Sequence, residues 1–170
     1  MPTRQDFLNF HCPRYEEFPA VELYAEQVLS LVKEYLKIFA RDEQALLTSN
    51  MINNYVKQKI VKPPVNKKYD RVHLSYFMVV CLLKGFMNIS ELCEGLEYIL
   101  SSYTVKDAYN IFCDELERAF REAFSGNIAE EDYKGLSNEL VIIRSMCVSL
   151  ANLTLVHCMI DEKKMGALNE

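Results

Sequence analysis

The chain has 170 residues, of which 50% are hydrophobic and 25% charged, with only five Gly and five Pro. This composition excludes a disordered, collagen-like or turn-rich β protein, and the length allows one compact domain or a small head with a second helical lobe. The net charge of −5 conceals one basic stretch, because residues 48–72 hold six basic residues and one acidic residue. A local basic patch predicts an anionic partner.

Signals for export, membrane insertion and disulfide bonds are weak. Residues 1–18 have no apolar run behind a basic segment, which predicts no signal peptide and a cytoplasmic protein. Residues 145–160 carry no charged side chain, but this run is shorter than the about 20 residues of a membrane-spanning helix, so we expect a buried core or interface helix and no membrane. The six cysteines show no CxxC pair and no zinc-site spacing, which predicts reduced packing residues and neither metal nor cofactor.

The first third of the chain is expected to be helical after an N-terminal arm. Residues 1–18 have no regular period. Apolar residues then recur at helical spacing and predict a helix over Pro19–Phe39. A short helix or turn is expected over Arg41–Leu47, and Thr48 offers an N-cap for a helix that reaches about Lys59.

The middle of the chain is interrupted by prolines. Residues 61–65 are predicted to be extended, because Pro63 and Pro64 each fix their own backbone and exclude the preceding residue from the helical region. Residues 66–69 are expected to turn the chain back as a small hairpin or wing. A helix that is apolar on nearly all sides follows from Arg71 to about Leu83, which predicts a central, buried element.

Three further helices are predicted from their capping residues. Asn88 with Glu91 resembles a capping box and opens one helix. Thr104 begins another, which ends before Gly126, and Ser137 begins the last and longest helix. No internal repeat is present, and the only strands expected are those of the wing.

Together these elements predict an all-α fold in three parts. These are an N-terminal arm (residues 1–18), a helix-turn-helix head with a small basic wing (residues 19–101), and a C-terminal helical lobe (residues 102–170). In the last helix, steps of three and four residues give the spacing of a helix–helix seam at Leu140, Ile143, Cys147, Leu150, Thr154 and His157. Such a seam packs against the preceding helix, a second subunit or both, and we expect a homodimer through the C-terminal helices.

The helix after Thr48 and the segment that follows it carry the candidate chemistry. Asn has low helix propensity, yet three Asn lie within five positions, and an Asn amide can both donate to and accept from adenine in the major groove. The lysines that follow are placed to contact phosphates. The predicted DNA-binding residues are Thr48, Ser49, Asn50, Asn53, Asn54, Lys57, Lys62, Lys67, Lys68, Tyr69 and Arg71. The alternatives are that the Asn residues merely cap or loosen a solvated helix and that the lysines form an ordinary solvated loop.

Three segments also resemble a bacterial family catalogued as domain of unknown function 1836: Glu22–Val28, Leu47–Lys57 and Lys67–Tyr69. The resemblance covers roughly residues 20–100 and is most specific at the run MINNYVK. More loosely, the helix, the wing ending in Tyr69–Arg71 and the next helix look like the head of MerR-type regulators, which implies a winged helix-turn-helix and DNA as partner. In place of the Arg-Tyr-Tyr run common in such recognition helices, this chain has Asn53–Tyr55.

We therefore predict a DNA-binding transcriptional regulator that takes double-stranded DNA as its partner. The main alternative is a helical protein-interaction module that uses the same basic surface for an acidic protein. An enzyme is not predicted, because the sequence has no Gly-rich phosphate loop, HExxH helix, GxSxG elbow or closely spaced carboxylate set. A cysteine-based redox sensor requires an exposed thiol of low pKa, and only Cys81 has a basic neighbour at short helical spacing, Lys84.

Overall fold

The computed structural model describes residues 2–40, 46–126 and 133–167, and these residues are mostly helical. Their seven α-helices are Arg4–Leu8 (α1), Ala25–Tyr35 (α2), Ser49–Lys57 (α3), Arg71–Leu83 (α4), Ile89–Leu100 (α5), Val105–Ser125 (α6) and Asn138–Ala167 (α7). Short 3₁₀ turns lie at Tyr15–Glu17 and Lys37–Phe39, and the two strands are Leu23–Tyr24 (β1) and Lys68–Tyr69 (β2). The predicted all-α class is confirmed.

The predicted helix starts match the structure where a capping side chain is present. The Thr48 hydroxyl accepts a hydrogen bond from the Met51 amide (3.2 Å) at the start of α3. Asn88 and Glu91 form the reciprocal capping box of α5, and the Thr104 hydroxyl accepts from the amide three residues into its helix (3.2 Å). Because a capping side chain replaces a backbone partner that the first helical turn lacks, it fixes the residue at which a helix begins.

The first long helix begins later than its apolar spacing predicted. A start at Pro19 was expected, but α2 begins at Ala25, and the chain before it forms β1, which pairs antiparallel with β2. The Nε atom of Arg71 donates to the carbonyl oxygens of Phe18 (3.0 Å) and Pro19 (3.3 Å). A helix that began at Pro19 would use these carbonyls for its own hydrogen bonds, but here they are bound by the side chain of a residue more than 50 positions away.

The described chain divides into two compact units, of which the first is Pro13–Ile111. In this unit, α2 packs against α3, α4 and both strands. Ten of the thirteen residues of α4 are buried, and Phe77, Met78 and Leu83 are completely inaccessible. The central, buried helix predicted from Arg71 is thus present.

The second unit is Met1–Cys12 with Phe112–Glu170. The predicted arm is therefore divided between the units, and the division in the second half of the chain lies inside α6 rather than before it. Within this unit the rings of Phe7 and Phe124 stack at a centroid distance of 4.8 Å, so α1 packs against the C-terminal part of α6.

The seam predicted along α7 packs against α6 within the second unit. The thiol of Cys147 donates to the Phe112 carbonyl (3.6 Å), and the Arg144 guanidinium donates to both carboxylate oxygens of Glu115 (2.9 and 3.0 Å). Four of the six seam residues are buried: Ile143, Cys147, Leu150 and Thr154. A second subunit is not needed to cover this side of the helix.

One segment, Asn138–Lys164, is long and apolar enough to cross a membrane by length and composition alone, and 28% of its most apolar window is buried in the protein. The core helix of a soluble protein passes the same test. The absence of a membrane-spanning helix remains a prediction.

Candidate nucleic-acid interface

Helix α3 exposes the side that the sequence assigned to DNA. Its exposed residues include a set that we call the asparagine face: Asn50, Asn53, Asn54 and Lys57. On the opposite side, Ile52 and Tyr55 are buried in the core of the first unit. The helix is therefore anchored by one side and offers amide groups to a partner on the other.

The start of α3 is fixed by the end of α4. The Lys84 ammonium donates to the Leu46 carbonyl (2.6 Å), and the Cys81 thiol donates to the same oxygen (3.3 Å). Lys84 also lies 3.6 Å from the Met51 sulfur. These contacts hold Leu46 and Met51, which lie on either side of the Thr48 cap. The helix that bears the asparagine face is therefore held in place by residues at the end of α4.

The end of α3 forms a Schellman motif with an unusual residue in it. The Ile60 amide donates to the Tyr55 carbonyl (3.0 Å) and the Lys59 amide to the Val56 carbonyl (3.1 Å), the pair of bonds that defines this motif. Lys59 has a φ of 61°, in the left-handed region where Gly is usual. The exposed Lys59 therefore occupies a position that favours Gly.

A two-residue turn joins Val65 to Lys68. The two residues exchange backbone hydrogen bonds (3.2 and 2.9 Å), and the residues between them, Asn66 and Lys67, have φ of 51° and 61°. Positive φ at both positions defines a type I′ turn, for which Asn-Gly is the preferred sequence. Asn66 fits this preference, whereas Lys67 again stands where Gly is favoured.

Four lysines of this region are exposed and have no carboxylate partner among the described residues: Lys57, Lys59, Lys62 and Lys67. With the half-buried Lys68 they form what we call the basic segment, residues 57–68. The acidic residue next to it, Asp70, lies 2.6 Å from Nδ1 of His73 and caps α4. The positive charge of the basic segment is therefore available to a partner.

Two residues of the predicted set serve the fold instead. Tyr69 is only 6% exposed, and its ring packs edge-on against His73 at a centroid distance of 5.3 Å. The Arg71 guanidinium binds the Phe18 and Pro19 carbonyls through Nε and the Glu16 carbonyl through Nη2 (3.2 Å). The Tyr69 ring and the Arg71 guanidinium are therefore engaged within the fold, and we leave them out of the DNA contacts proposed below.

The start of α3 gives two further predicted residues different surroundings. Thr48 is half-buried and its hydroxyl is occupied as a cap, whereas Ser49 is exposed. The first helix of the predicted helix-turn-helix falls on Arg41–Leu47, of which residues 41–45 lie outside the described residues. The helix-turn-helix assignment remains a prediction.

Two residues of this surface were not assigned to it from the sequence. Lys59 was counted in the basic stretch of the sequence but not among the predicted DNA contacts. A lysine directly after the last turn of a helix marks the end of that helix, so its place beside α3 could have been recognised. Tyr24 was assigned to the apolar face of a helix, but it lies on β1 and is exposed. No local signal identified that strand, because its partner is more than 40 residues away in the chain.

Three thiols of the chain lack the low pKa of a redox sensor. Burial raises the pKa of Cys81 to about 12, although the charge of Lys84 acts in the opposite direction. Burial also raises the pKa of Cys147 well above its usual value, and burial with the nearby Glu97 raises that of Cys93. Thiols with raised pKa are poor nucleophiles at neutral pH. No group of three or more His, Cys, Asp or Glu side chains among the residues described has the arrangement of a metal site.

Fold and surface define a mostly helical protein whose first compact unit carries an exposed asparagine face and an unpaired basic segment. The family model of the domain of unknown function DUF1836 matches residues 13–112, more than half of the chain, so the protein belongs to this family. The matched residues correspond to the first unit, Pro13–Ile111. No curated protein and no solved structure matches the chain, and the comparisons do not support the looser likeness to MerR-type heads.

Proposed function

We propose that this protein is a transcriptional regulator that binds double-stranded DNA, with the asparagine face of α3 towards base edges and the basic segment on phosphates. The observation on which the proposal depends is the left-handed backbone conformation of Lys59 and Lys67. Both have φ of 61°, where a residue with a side chain costs about 1–2 kcal/mol. A cation kept at two such positions, without a carboxylate partner among the described residues, is best explained by a use for its charge.

The asparagine face supports the same function. An exposed helix surface is stabilised by Ala, Glu, Lys or Gln, whereas each Asn costs several tenths of a kcal/mol. Asn53 and Asn54 are exposed in the body of α3, so burial does not explain them. Their amides can form the paired hydrogen bonds that distinguish adenine in the major groove.

The basic segment predicts a measurable salt dependence. Each phosphate contact contributes about 0.9 to the slope of log K against log salt concentration. If the four exposed lysines of the segment each contact one phosphate, the slope is about −3.6. Binding to any duplex should therefore weaken steeply with salt.

The first test measures anisotropy of a labelled random-sequence duplex over a salt series. In the variant Lys59→Gln/Lys67→Gln, two phosphate contacts are lost, and we expect the slope to fall by about two. The matched control Lys33→Gln/Lys163→Gln removes the same charge from exposed positions on α2 and α7 and should keep the wild-type slope. Absence of duplex binding at low salt overturns the proposal, and the basic segment would then be tested against acidic proteins.

Base recognition is tested separately from phosphate binding. Selection from a random pool should yield a preferred site, and Asn54→Ala should lower the preference for that site by about 1–3 kcal/mol. Binding to random duplex should change little, because Asn54 adds no charge. An unchanged preference in both Asn53→Ala and Asn54→Ala would exclude the asparagine face from base recognition.

A homodimer in the cytoplasm is part of the proposal. Val156, Met159 and Ile160 are exposed on α7, on the side opposite the buried residues that face α6. A two-fold dimer through this side would carry two copies of α3, as a palindromic DNA site requires. Light scattering at micromolar concentration should give twice the chain mass, and Met159→Lys should lower it, because a charge in an apolar interface lacks a partner. A wild-type monomer contradicts the dimer.

A further inference from the structure

A row of three side chains crosses the small sheet of the first unit. Tyr24 pairs with Lys68 in the β1–β2 register, and Lys68 pairs with Val65 across the type I′ turn. Residues directly opposite each other in antiparallel strands project from the same side of the sheet. We call Tyr24, Lys68 and Val65 the cross-strand row.

The cross-strand row is the solvent side of the sheet. Tyr24 is 56% exposed and Val65 64% exposed, both high values for large apolar side chains. Leu23 and Tyr69, which also pair with each other, are buried on the opposite side. The sheet therefore covers the core with one side and offers an aromatic ring, a cation and an aliphatic side chain on the other.

The cation of the row is held only weakly by its own protein. The Lys68 ammonium lies 5.5 Å from the centre of the Tyr24 ring, a cation–π contact that contributes little at an exposed site. No carboxylate among the described residues pairs with this ammonium. It can therefore move to a phosphate while the ring of Tyr24 stays in place.

We propose that the cross-strand row binds the sugar–phosphate backbone of duplex DNA, with the Lys68 ammonium on a phosphate and the Tyr24 and Val65 side chains against neighbouring deoxyribose rings. The inference rests on the proposed DNA binding and adds an apolar contact to it. Adjacent strands lie about 4.8 Å apart, so the row spans about 10 Å. Its cation lies between the two apolar side chains, as a phosphate lies between two deoxyribose rings.

The charge next to the row favours a polyanion that also offers apolar surface. Lys67 lies in the turn beside Val65, and Lys62 precedes the prolines that lead into it; both are exposed. Glu22 and Glu26 flank Tyr24 in the chain and are also exposed, so the row itself is less positive than the turn. An alternation of phosphate and deoxyribose matches this mixture of cation and apolar side chains better than an acidic peptide segment does.

The test separates the apolar contacts from the charge. In Tyr24→Thr/Val65→Thr, the strand-forming character is retained, the large apolar surface of the row is reduced, and no charge changes. Affinity for a labelled random-sequence duplex of 20 base pairs should fall about tenfold at every salt concentration, the loss expected for two partly covered apolar side chains. The salt slope should equal that of the wild type, because the phosphate contacts are unchanged.

Val21→Thr is the matched control. Val21 is 69% exposed and near Tyr24 in the chain, but it has no partner in the register, so affinity should stay within about twofold of the wild type. Tyr24→Phe keeps the ring and should also bind like the wild type. Thermal unfolding confirms that each variant is folded; if the double variant is not, Val65→Thr alone should weaken binding about threefold.

The outcomes are distinguishable. A tenfold loss with an unchanged slope supports the cross-strand row. Wild-type affinity in the folded variants overturns the row while duplex binding by the wild type still stands. A change in slope shows that the substitutions disturb the phosphate contacts themselves, and it overturns the assignment of Tyr24 and Val65 to separate apolar contacts. Failure of the wild-type protein to bind duplex overturns the proposed function itself, and the row with it.

Discussion

Replacement of Lys67 by Gly should raise the stability of the protein and weaken its binding to DNA. Lys67 has a φ of 61° at the second position of a type I′ turn, where a side chain costs about 1–2 kcal/mol. Gly removes this cost but also adds about 0.5–1 kcal/mol of conformational entropy to the unfolded chain. The difference is a gain of about 0–1.5 kcal/mol, centred on about 0.75, and the new sequence Asn-Gly is the preferred one for this turn.

The two effects of Lys67→Gly are measured independently. For an m value of about 2 kcal/mol/M, a gain of 0.75 kcal/mol raises the urea midpoint by about 0.4 M. The loss of one phosphate contact lowers the slope of log K against log salt concentration by about 0.9. Circular dichroism gives the first quantity and duplex anisotropy the second.

Lys62→Gly provides the control, because Lys62 is also exposed and lies in the same segment but has no positive φ. The salt slope should fall by the same amount, whereas stability should fall by about 0.5–1 kcal/mol, since only the unfolded chain gains freedom. A lower urea midpoint in Lys67→Gly would refute the argument from backbone strain. An unchanged salt slope would refute the phosphate contact.

Two further substitutions test residues that hold this surface in place, and a third tests an ion pair of the second unit. Tyr69→Ala removes a buried ring and should cost about 3–4 kcal/mol in urea unfolding. Arg71→Met removes hydrogen bonds to three carbonyls and should cost about 1–2 kcal/mol, while the DNA salt slope stays at the wild-type value. Burial raises the pKa of Glu115, but hydrogen bonds from Arg144 and Arg118 outweigh it and hold that pKa below its usual value. The carboxylate therefore stabilises the fold above about pH 4.5, and this contribution is lost as the pH falls through the lower pKa of the folded state. Urea midpoints of the wild type and Glu115→Gln should thus differ at pH 7, and the difference should shrink as the pH falls below about 4.5. A difference that does not change with pH contradicts the ion-pair role.

Much of the fold was predictable because its signals are local. The caps at Thr48, Asn88 and Thr104 lie within three residues of the helices they begin, and the unbroken apolar character of α4 identified it as the central helix. The exposed side of α3 followed from the helical period of its Asn residues. Each of these features depends on neighbours in the sequence, where propensity and pattern are informative.

The features that sequence reasoning missed depend on distant parts of the chain. Strand β1 forms because Leu23 meets Tyr69, and the backbone before it is held by the side chain of Arg71. Apolar spacing over residues 19–38 fits a helix equally well, so the local pattern favoured the wrong start. The same long-range contacts give Tyr69 and Arg71 structural roles that the sequence did not reveal, because both residues were judged only by their basic neighbourhood.

The sites where this chain departs from local rules are not spread evenly. The described residues have five positions of positive φ; two are occupied by Gly126 and Gly135, and the other three by Lys59, Asn66 and Lys67. The protein thus uses Gly where a turn outside the basic segment requires it, and keeps side chains within residues 59–67 at a cost in stability. Natural sequences tend to break local rules at functional sites. Here the three residues with positive φ lie close after α3, whose exposed Asn residues are themselves unfavourable in a helix. Gly at 59 and 67 would relieve the backbone strain, so the charge that the two lysines supply is the property to test first.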